Sequence, residues 1–376
     1  MEININSEEV LLKKELQEKL DPESKRLIRF LDMPDLSRTL TSPIYELVQR
    51  IISLKDFSDF DVIKVPEIVP ADVSFDLFDF PRDHPARSKS DTYYIGNNIL
   101  RTHTTIMWYY YLKEIVIKEK IKHGLPVGSL SYGKVYRKDE IDRSHMNVFH
   151  QMDGWYLCRK DEKIITSEDL QNVLINIARS VFGEDMQYRF NEDTFPYTDP
   201  SLEMEIERDG IWVEVLGSGV VKGKVLKNLG VDPDIYNGWA FGFGLERLAI
   251  VSMDLPDIRL LWSHDARVKK QLHLGNKFKE VSKFPAITRD ISFIVNKDFV
   301  PNNYFDLIRD MGGDLVEEVQ LLDKYENSEK FGSDEVSYTY RIMYRSNERT
   351  LVSSEVDEIQ GKIYSETAKQ FKAQLR

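Results

Sequence analysis

Two strand-forming runs, residues 131–138 and 147–158, flank a short polar stretch, and this pairing constrains the fold more than any other feature of the chain. Such an arrangement reads as an antiparallel hairpin. The hairpin also carries chemistry. Arg137 closes the first run, His145 lies in the loop, and Phe149, Gln151 and Asp153 follow at alternate positions of the second. Because side chains alternate across a strand, Gln151 and Asp153 share one face. One short segment thus offers a guanidinium to grip a phosphate, a ring to cover a nucleobase and a polar pair to hold a small zwitterion. Each residue also has a plainer reading: a solvated hairpin arginine, a loop histidine, polar side chains facing water.

Signals on either side extend the hairpin into a domain. Residues 7–32 read as one or two polar helices broken at Asp21-Pro22, where proline suits a new first turn. Apolar positions recur at helical spacing over 43–53 and over 104–122, the latter predicting one long helix. Residues 61–66 read as a strand, and 75–87, rich in Asp, Pro and Phe, as a loop. Ser167 is the expected N-cap of an amphipathic helix over 167–182. Strand patterns return at 186–190, 202–208 and 211–216. Strands, helix, strands, helix predicts an antiparallel α+β domain rather than a doubly wound sheet. A β-α-β-β-α order ends the chain. Ile291, Phe293 and Val295 alternate, a helix marked by Tyr304 to Met311 stops at Gly312-Gly313, strands follow at 317–325 and 336–344, and Val356, Ile359 and Ile363 mark a last helix. That order predicts a small ferredoxin-like domain. The expected division is an N-terminal helical extension at 1–40, a larger α+β domain at 41–261, a charged linker at 262–280 and the ferredoxin-like domain at 281–376.

Composition sets the remaining bounds. A chain of 376 residues has room for two or three domains, and 41% hydrophobic with 30% charged residues is ordinary for a globular protein. The one cysteine, Cys158, excludes an intramolecular disulfide framework and a multi-cysteine zinc site, which favours a reducing compartment. No apolar run approaches the length of a membrane-spanning helix. The opening residues are too acidic for a transit peptide and lack a signal-peptide core, which favours a cytoplasmic location. The net charge of −12 argues mildly against a nucleic-acid partner, yet a local basic patch suffices because affinity follows the phosphates contacted.

Three further segments carry candidate chemistry. Trp239-Ala-Phe-Gly-Phe-Gly-Leu-Glu-Arg247 reads as a glycine-rich turn entering a helix; it places Arg247 where a dinucleotide-binding turn needs a small residue, so that motif is excluded. It is either a plain turn with a surface arginine or a close approach to a polyphosphate. The run Leu100-Arg-Thr-His103-Thr-Thr105 is either a helix cap or an anion-binding helix start. Phe195-Pro196-Tyr197 is either core filler or a slot for a flat ring.

With these motifs in place, the chain resembles the catalytic subunits of phenylalanyl-tRNA synthetases. The resemblance rests on DHPAR at 83–87, the 100–104 run, the hairpin, FPYTDP at 195–200, WVEVLGSG at 212–219 and the 239–249 segment. The hairpin and the 239–249 segment look like motifs 2 and 3 of class II aminoacyl-tRNA synthetases. Residues from FPAITRDISF onward are similar to the family's anticodon-binding domain, so the single chain is most similar to the monomeric, mitochondrial-type enzyme. This implies an antiparallel class II sheet flanked by helices, with a small C-terminal ferredoxin-like domain. It also implies ATP-dependent activation of L-phenylalanine and transfer to the terminal 2′-hydroxyl of tRNA(Phe), with ATP and Mg2+ as cofactors, in a monomer of the mitochondrial matrix with no membrane partner.

Carried over by position, the resemblance implies that Arg137 contacts the α-phosphate and Arg247 the γ-phosphate. Phe149 stacks on adenine, with Ser144, His145 and Met146 beside the nucleotide and Glu214 at the ATP site through Mg2+. His103, Thr105, Gln151 and Asp153 surround the amino acid's charged groups. Phe195, Tyr197, Ala240 and Phe241 line the side-chain pocket, and Arg341, Arg345 and Arg349 are candidates for the tRNA. Three positions depart from the family pattern: Thr105 replaces a serine, Asp153 a glutamate and Tyr197 a phenylalanine. Two alternatives stay open, a paralogue charging another acceptor and a non-catalytic RNA-binding relative.

Overall fold

The structure is a computed structural model that describes residues 1–5, 9–138 and 142–376. Part of the hairpin loop and the start of the expected 7–32 helices lie outside the described residues. The chain divides into two compact units, Met1–Phe278 and Lys279–Arg376.

The first unit is built on an eight-stranded sheet in the order Glu2–Asn4, Asp61–Lys64, Val127–Tyr136, Val148–Arg159, Tyr236–Gly244, Ile211–Val221, Thr198–Arg208 and Tyr188–Asp193. The last six pair antiparallel, and the first two join the edge in parallel. Val127–Tyr136 is buried along its whole length, because both sheet faces are covered there. On one face the helices Pro43–Ile52, Ser167–Phe182 and Leu245–Met253 pack against the strands and one another. Ser167–Phe182 buries Leu170, Val173, Leu174, Ile177, Ala178 and Val181 as one apolar stripe, and each large aliphatic group so buried contributes about 1.5–3 kcal/mol. On the other face Trp108 stacks on Trp155 at 5.1 Å, and the rest of that face holds the site described below.

Five local expectations need correction. The N-cap of Ser167–Phe182 is Thr166, in a capping box with Asp169; the hydroxyl one residue earlier meets the orphan amide at the third helical position. The long helix over 104–122 is two, Met107–Lys113 and Ile115–Lys122, because Glu114 at φ −64 and ψ 132 leaves the helical region. The glycine-rich turn at 239–244 is instead the end of a central strand, Tyr236–Gly244. Its aromatics alternate with small residues, so Trp239, Phe241 and Phe243 form a stacked ladder on the helix-covered face. Residues 262–278 do not form a linker, since Val268, Leu272 and Leu274 are buried within the first unit. Nor do residues 1–40 stand apart as an extension: Leu16, Leu27, Phe30 and Leu31 share one apolar cluster with Tyr136 and Val148 of the hairpin.

The second unit has the expected β-α-β-β-α order. Its sheet runs Val316–Tyr325, Glu335–Tyr344, Ile287–Asn296 and Gln374–Leu375. Pro301–Gly312 and Ser353–Phe371 supply Tyr304, Leu307, Ile308, Val356 and Ile363 to a core shared with Phe293, Tyr340 and Ile342. The first of these helices ends at Gly313, whose φ of +53 is a cost-free conformation only for glycine.

Candidate active site

A cavity of about 590 Å³ opens on the sheet face opposite the helices, large enough for a nucleotide with a small second substrate. Arg137, Ser144, His145, Met146, Phe149, Gln151, Phe195, Tyr197, Glu214 and Arg247 all line it. The two arginines, far apart in sequence, therefore meet in one space. The floor is glycine. Gly217 and Gly242 sit opposite one another in the ladder. A Cβ on Gly242 would lie 2.7 Å from Asp153 Oδ1 and 3.3 Å from Gln151 Nε2, and one on Gly217 would lie 2.9 Å from the Phe195 ring. Bare backbone at both positions lets those side chains lie flat across the strands.

Asp153 lies against Gly242 of this floor but, like His103, Thr105 and Ala240, is not itself in the cavity lining. It is 3% exposed, and Thr105 Oγ1 donates to its Oδ1 at 2.6 Å while the Thr104 hydroxyl donates to Oδ2. Burial pushes its pKa up to about 6, against the two hydroxyl donors and the charge of Arg137. Beside it, Gln151 Oε1 is buried without a hydrogen-bond partner. A group with several N–H donors and a positive charge would satisfy both. His103 is also buried, with neither ring nitrogen hydrogen-bonded, and its ring stacks on Phe80 at 5.7 Å. Burial, then the charges of Arg137 and Arg101, depress its pKa to about 3 against a contact from the Ser74 backbone. Near neutral pH it is an uncharged imidazole.

The polar end is built differently. The Arg137 Nε donates to the Thr102 carbonyl at 3.1 Å, and its guanidinium carbon lies 5.2 Å from the Phe149 ring centroid. Arg247 pairs with Glu214 at 3.3 Å, each about half exposed; such a pair is worth at most about 1 kcal/mol, so a phosphate can displace the carboxylate. Glu214 reaches this face through a β-bulge. It pairs with Glu205 and Leu216 with Met204, leaving Val215 as the extra residue, and the bulge turns Glu214 toward the cavity side. At the rim, Asp142 accepts the Ser144 and His145 amides at 2.6 and 2.8 Å and faces His145 Nδ1 at 2.8 Å. Among the described residues no three His, Cys, Asp or Glu side chains converge on one metal position. A lone half-exposed carboxylate fits Mg2+, which takes one or two protein carboxylates and completes its shell from substrate phosphates and water.

Residues 31–272 match the family described as tRNA synthetases class II core domain (F), and residues 282–376 match the ferredoxin-fold anticodon binding domain. The chain is 39% identical over 349 residues to the chloroplastic/mitochondrial phenylalanine–tRNA ligase of Arabidopsis thaliana, covering 90% of this chain and 77% of that protein. It is 37% identical over 342 residues to the mitochondrial phenylalanine–tRNA ligase of Mus musculus, covering 81% and 72%. A phenylalanine–tRNA ligase alpha subunit of Coxiella burnetii (strain Dugway 5J108-111) is 36% identical over 260 residues, covering 68% of this chain and 75% of that one. The chain belongs to the phenylalanine–tRNA ligase family of class II tRNA synthetases.

Within this family frame, the apolar end of the cavity holds Phe195 and Tyr197, whose rings lie parallel at 6.0 Å and 10°. Lys222 Nζ holds their backbone through the Phe195 and Pro196 carbonyls, at 3.2 and 2.9 Å. Ala240 is buried beneath, in the cluster of Trp108 and Trp155 against which Tyr197 packs. Phe241 is not part of this wall. Its ring faces the helices, 5.8 Å from Phe57, because neighbours along a strand point to opposite faces. In the second unit, Arg341 pairs with Asp290 through two bonds of 2.8 Å, Arg345 with Glu317 at 2.8 Å, and Arg349 with Glu355. Each tRNA candidate thus already holds a carboxylate that a phosphate would have to displace, and Arg345 is mostly buried besides. Sequence reasoning missed Thr104, whose only signal was its place between His103 and Thr105. It also missed His150 and Glu246, which carry no pattern that distinguishes them from their neighbours.

Proposed function

We propose that this protein activates L-phenylalanine with ATP and transfers it to tRNA(Phe). The observation that carries the reading is the meeting of Arg137 and Arg247 in one cavity, with the buried carboxylate of Asp153 beside its glycine floor. The chemical difficulty is that two anions, the amino-acid carboxylate and the α-phosphate, must come together. Fixed guanidinium groups lower that barrier by neutralising charge before the reaction begins.

In this reading Phe149 covers adenine, Ser144, His145 and Met146 border the nucleotide, Arg137 takes the α-phosphate and Arg247 the γ-phosphate. Glu214 would hold Mg2+ arriving with ATP, and the ion would supply further charge neutralisation on the polyphosphate. Asp153, Gln151 and the Thr105 hydroxyl receive the ammonium group, and neutral His103 lies near the carboxylate. The phenyl ring enters between Phe195 and Tyr197 toward Ala240. The substrate carboxylate attacks the α-phosphorus in line and pyrophosphate leaves. The terminal 2′-hydroxyl of the tRNA then attacks the activated carbonyl and AMP leaves. The second unit holds the tRNA, with Arg341 and Arg349 as its exposed candidates. The protein acts as a single chain, and the organelle names of its relatives support the mitochondrial matrix.

Phenylalanine-dependent exchange of labelled pyrophosphate into ATP, followed by charging of purified tRNA(Phe), tests the proposal. Both reactions are expected. Exchange without charging would instead indicate a paralogue with another acceptor, and absence of both would remove the catalytic reading.

A further inference from the structure

At the edge of the cavity lies a buried pair that none of the roles above uses: Glu246 borders the cavity, and His150 lies behind it. His150 is 0% exposed and Glu246 3%. The His150 amide donates to Glu246 Oε1 and Oε2 at 3.0 and 2.8 Å, and its ring Nδ1 lies 2.6 Å from Oε1. Across the ring, the Leu36 amide donates to Nε2 at 2.9 Å, with Asp35 Oδ1 at 3.4 Å and the Trp262 indole stacked at 5.6 Å. Burial opposes a second proton on this ring, but Glu246 and Asp35 outweigh it and raise its pKa to about 9; the Leu36 amide hydrogen resists that proton at Nε2. With one proton or two, Nδ1–H is the donor to Glu246.

The backbone shows what the pair replaces. The ladder between Val148–Arg159 and Tyr236–Gly244 ends at Gln151 opposite Gly244. Beyond it the chain turns into the helix Leu245–Met253, and the His150 amide loses its strand partner on that side. The Glu246 carboxylate takes that amide, extending the pairing by one side chain. The neighbours of the two residues face the cavity: Phe149 and Gln151 flank His150, and Arg247 follows Glu246. We propose that Glu246, through His150, is a positioning residue that fixes Arg247 relative to the Phe149 and Arg137 side of the nucleotide site. The proposal rests on the ATP reading of this cavity.

Glu246→Gln keeps the volume but turns one acceptor into a donor. In either orientation its nitrogen meets a donor: in the Oε2 place it faces the His150 amide, and in the Oε1 place it faces Nδ1–H, where moving the ring proton to Nε2 sets that atom against the Leu36 amide instead. One bond is lost wherever the proton goes. A misplacement of about 1 Å at a reacting group costs on the order of 10²-fold, so kcat/KM for ATP in pyrophosphate exchange is expected to fall by about that factor while KM for phenylalanine barely moves. His150→Leu is expected to behave the same way, whereas His150→Asn, whose amide nitrogen can stand in for Nδ1, should recover most of the loss. Assays run well below each variant's melting temperature separate positioning from unfolding. Wild-type ATP kinetics in both Glu246→Gln and His150→Leu would overturn the proposal, as would equal effects on the ATP and phenylalanine KM values. A wild-type protein without phenylalanine-dependent exchange would overturn the functional reading, and this proposal with it.

Discussion

Replacing Asp153 by asparagine tests the site at its centre, because the structure ties activity and stability to the same carboxylate with opposite signs. The group is buried, and its pKa stands at about 6 against an ordinary 3.8. At roughly 1.4 kcal/mol per pKa unit, keeping it ionised in the folded protein costs about 3 kcal/mol. Because the folded-state pKa is raised, that cost grows as pH rises from about 4 to 6 and is constant above. Asparagine lacks it. Asp153→Asn should therefore melt higher than wild type at pH 7.5, and the difference should vanish near pH 4. Activity should move the other way. Removing one partner of a buried charge pair costs about 2–5 kcal/mol, so kcat/KM for phenylalanine should fall on the order of 10²-fold while KM for ATP holds. In the wild type the same constant should also decline as pH drops through about 6, when the carboxylate takes a proton and no longer attracts an ammonium group; the variant should lack that limb. Pyrophosphate exchange between pH 5 and 8, with denaturant melts at pH 4 and 7.5, reads all of this. A variant with wild-type phenylalanine kinetics, or one that keeps the acid limb, would refute Asp153 as the ammonium partner. No gain in stability at pH 7.5 would refute the buried-charge argument.

Other outcomes follow from the same geometry. Arg247→Ala should lower kcat/KM for ATP by about 10²–10³-fold, the usual loss for one donor to developing charge, with no change in KM for phenylalanine; equal loss for both substrates would place Arg247 outside the phosphate site. Ala240→Gly opens space below the phenyl slot. Because an apolar pocket rejects an added hydroxyl by only about 10²-fold, mischarging with tyrosine should rise, and unchanged discrimination would remove Ala240 as the pocket wall. Truncation after Phe278, where the first compact unit ends, should preserve pyrophosphate exchange and abolish tRNA charging; normal charging by the truncated protein would take the RNA-binding role from the second unit.

How much of this was legible in the sequence differs from residue to residue. The hairpin and the alternation of Gln151 with Asp153 could be read directly, since a strand fixes which side chains share a face whatever surrounds it. The ferredoxin-like order was equally plain, because each of its elements carries its own period and stop signal. The glycines of 242–244 misled, since glycine favours turns locally and only pairing on both sides makes a strand of them. Phe241 misled for the opposite reason: it lies beside Ala240 in the chain, and a strand sends neighbours to opposite faces.

The residue types of the chemistry, the two domain classes and the family were readable from the chain alone, because local period and motif spacing survive without knowledge of the third dimension. That Arg137 and Arg247 share a cavity, that a bulge at Val215 turns Glu214 toward it, and that His150 and Glu246 close around one another at its edge came from the folded arrangement alone. Those facts depend on which strands pair and where each ladder ends. Burial then decides the charge states, raising Asp153 and lowering His103, since the cost of an ion depends on how much water the fold has removed from it.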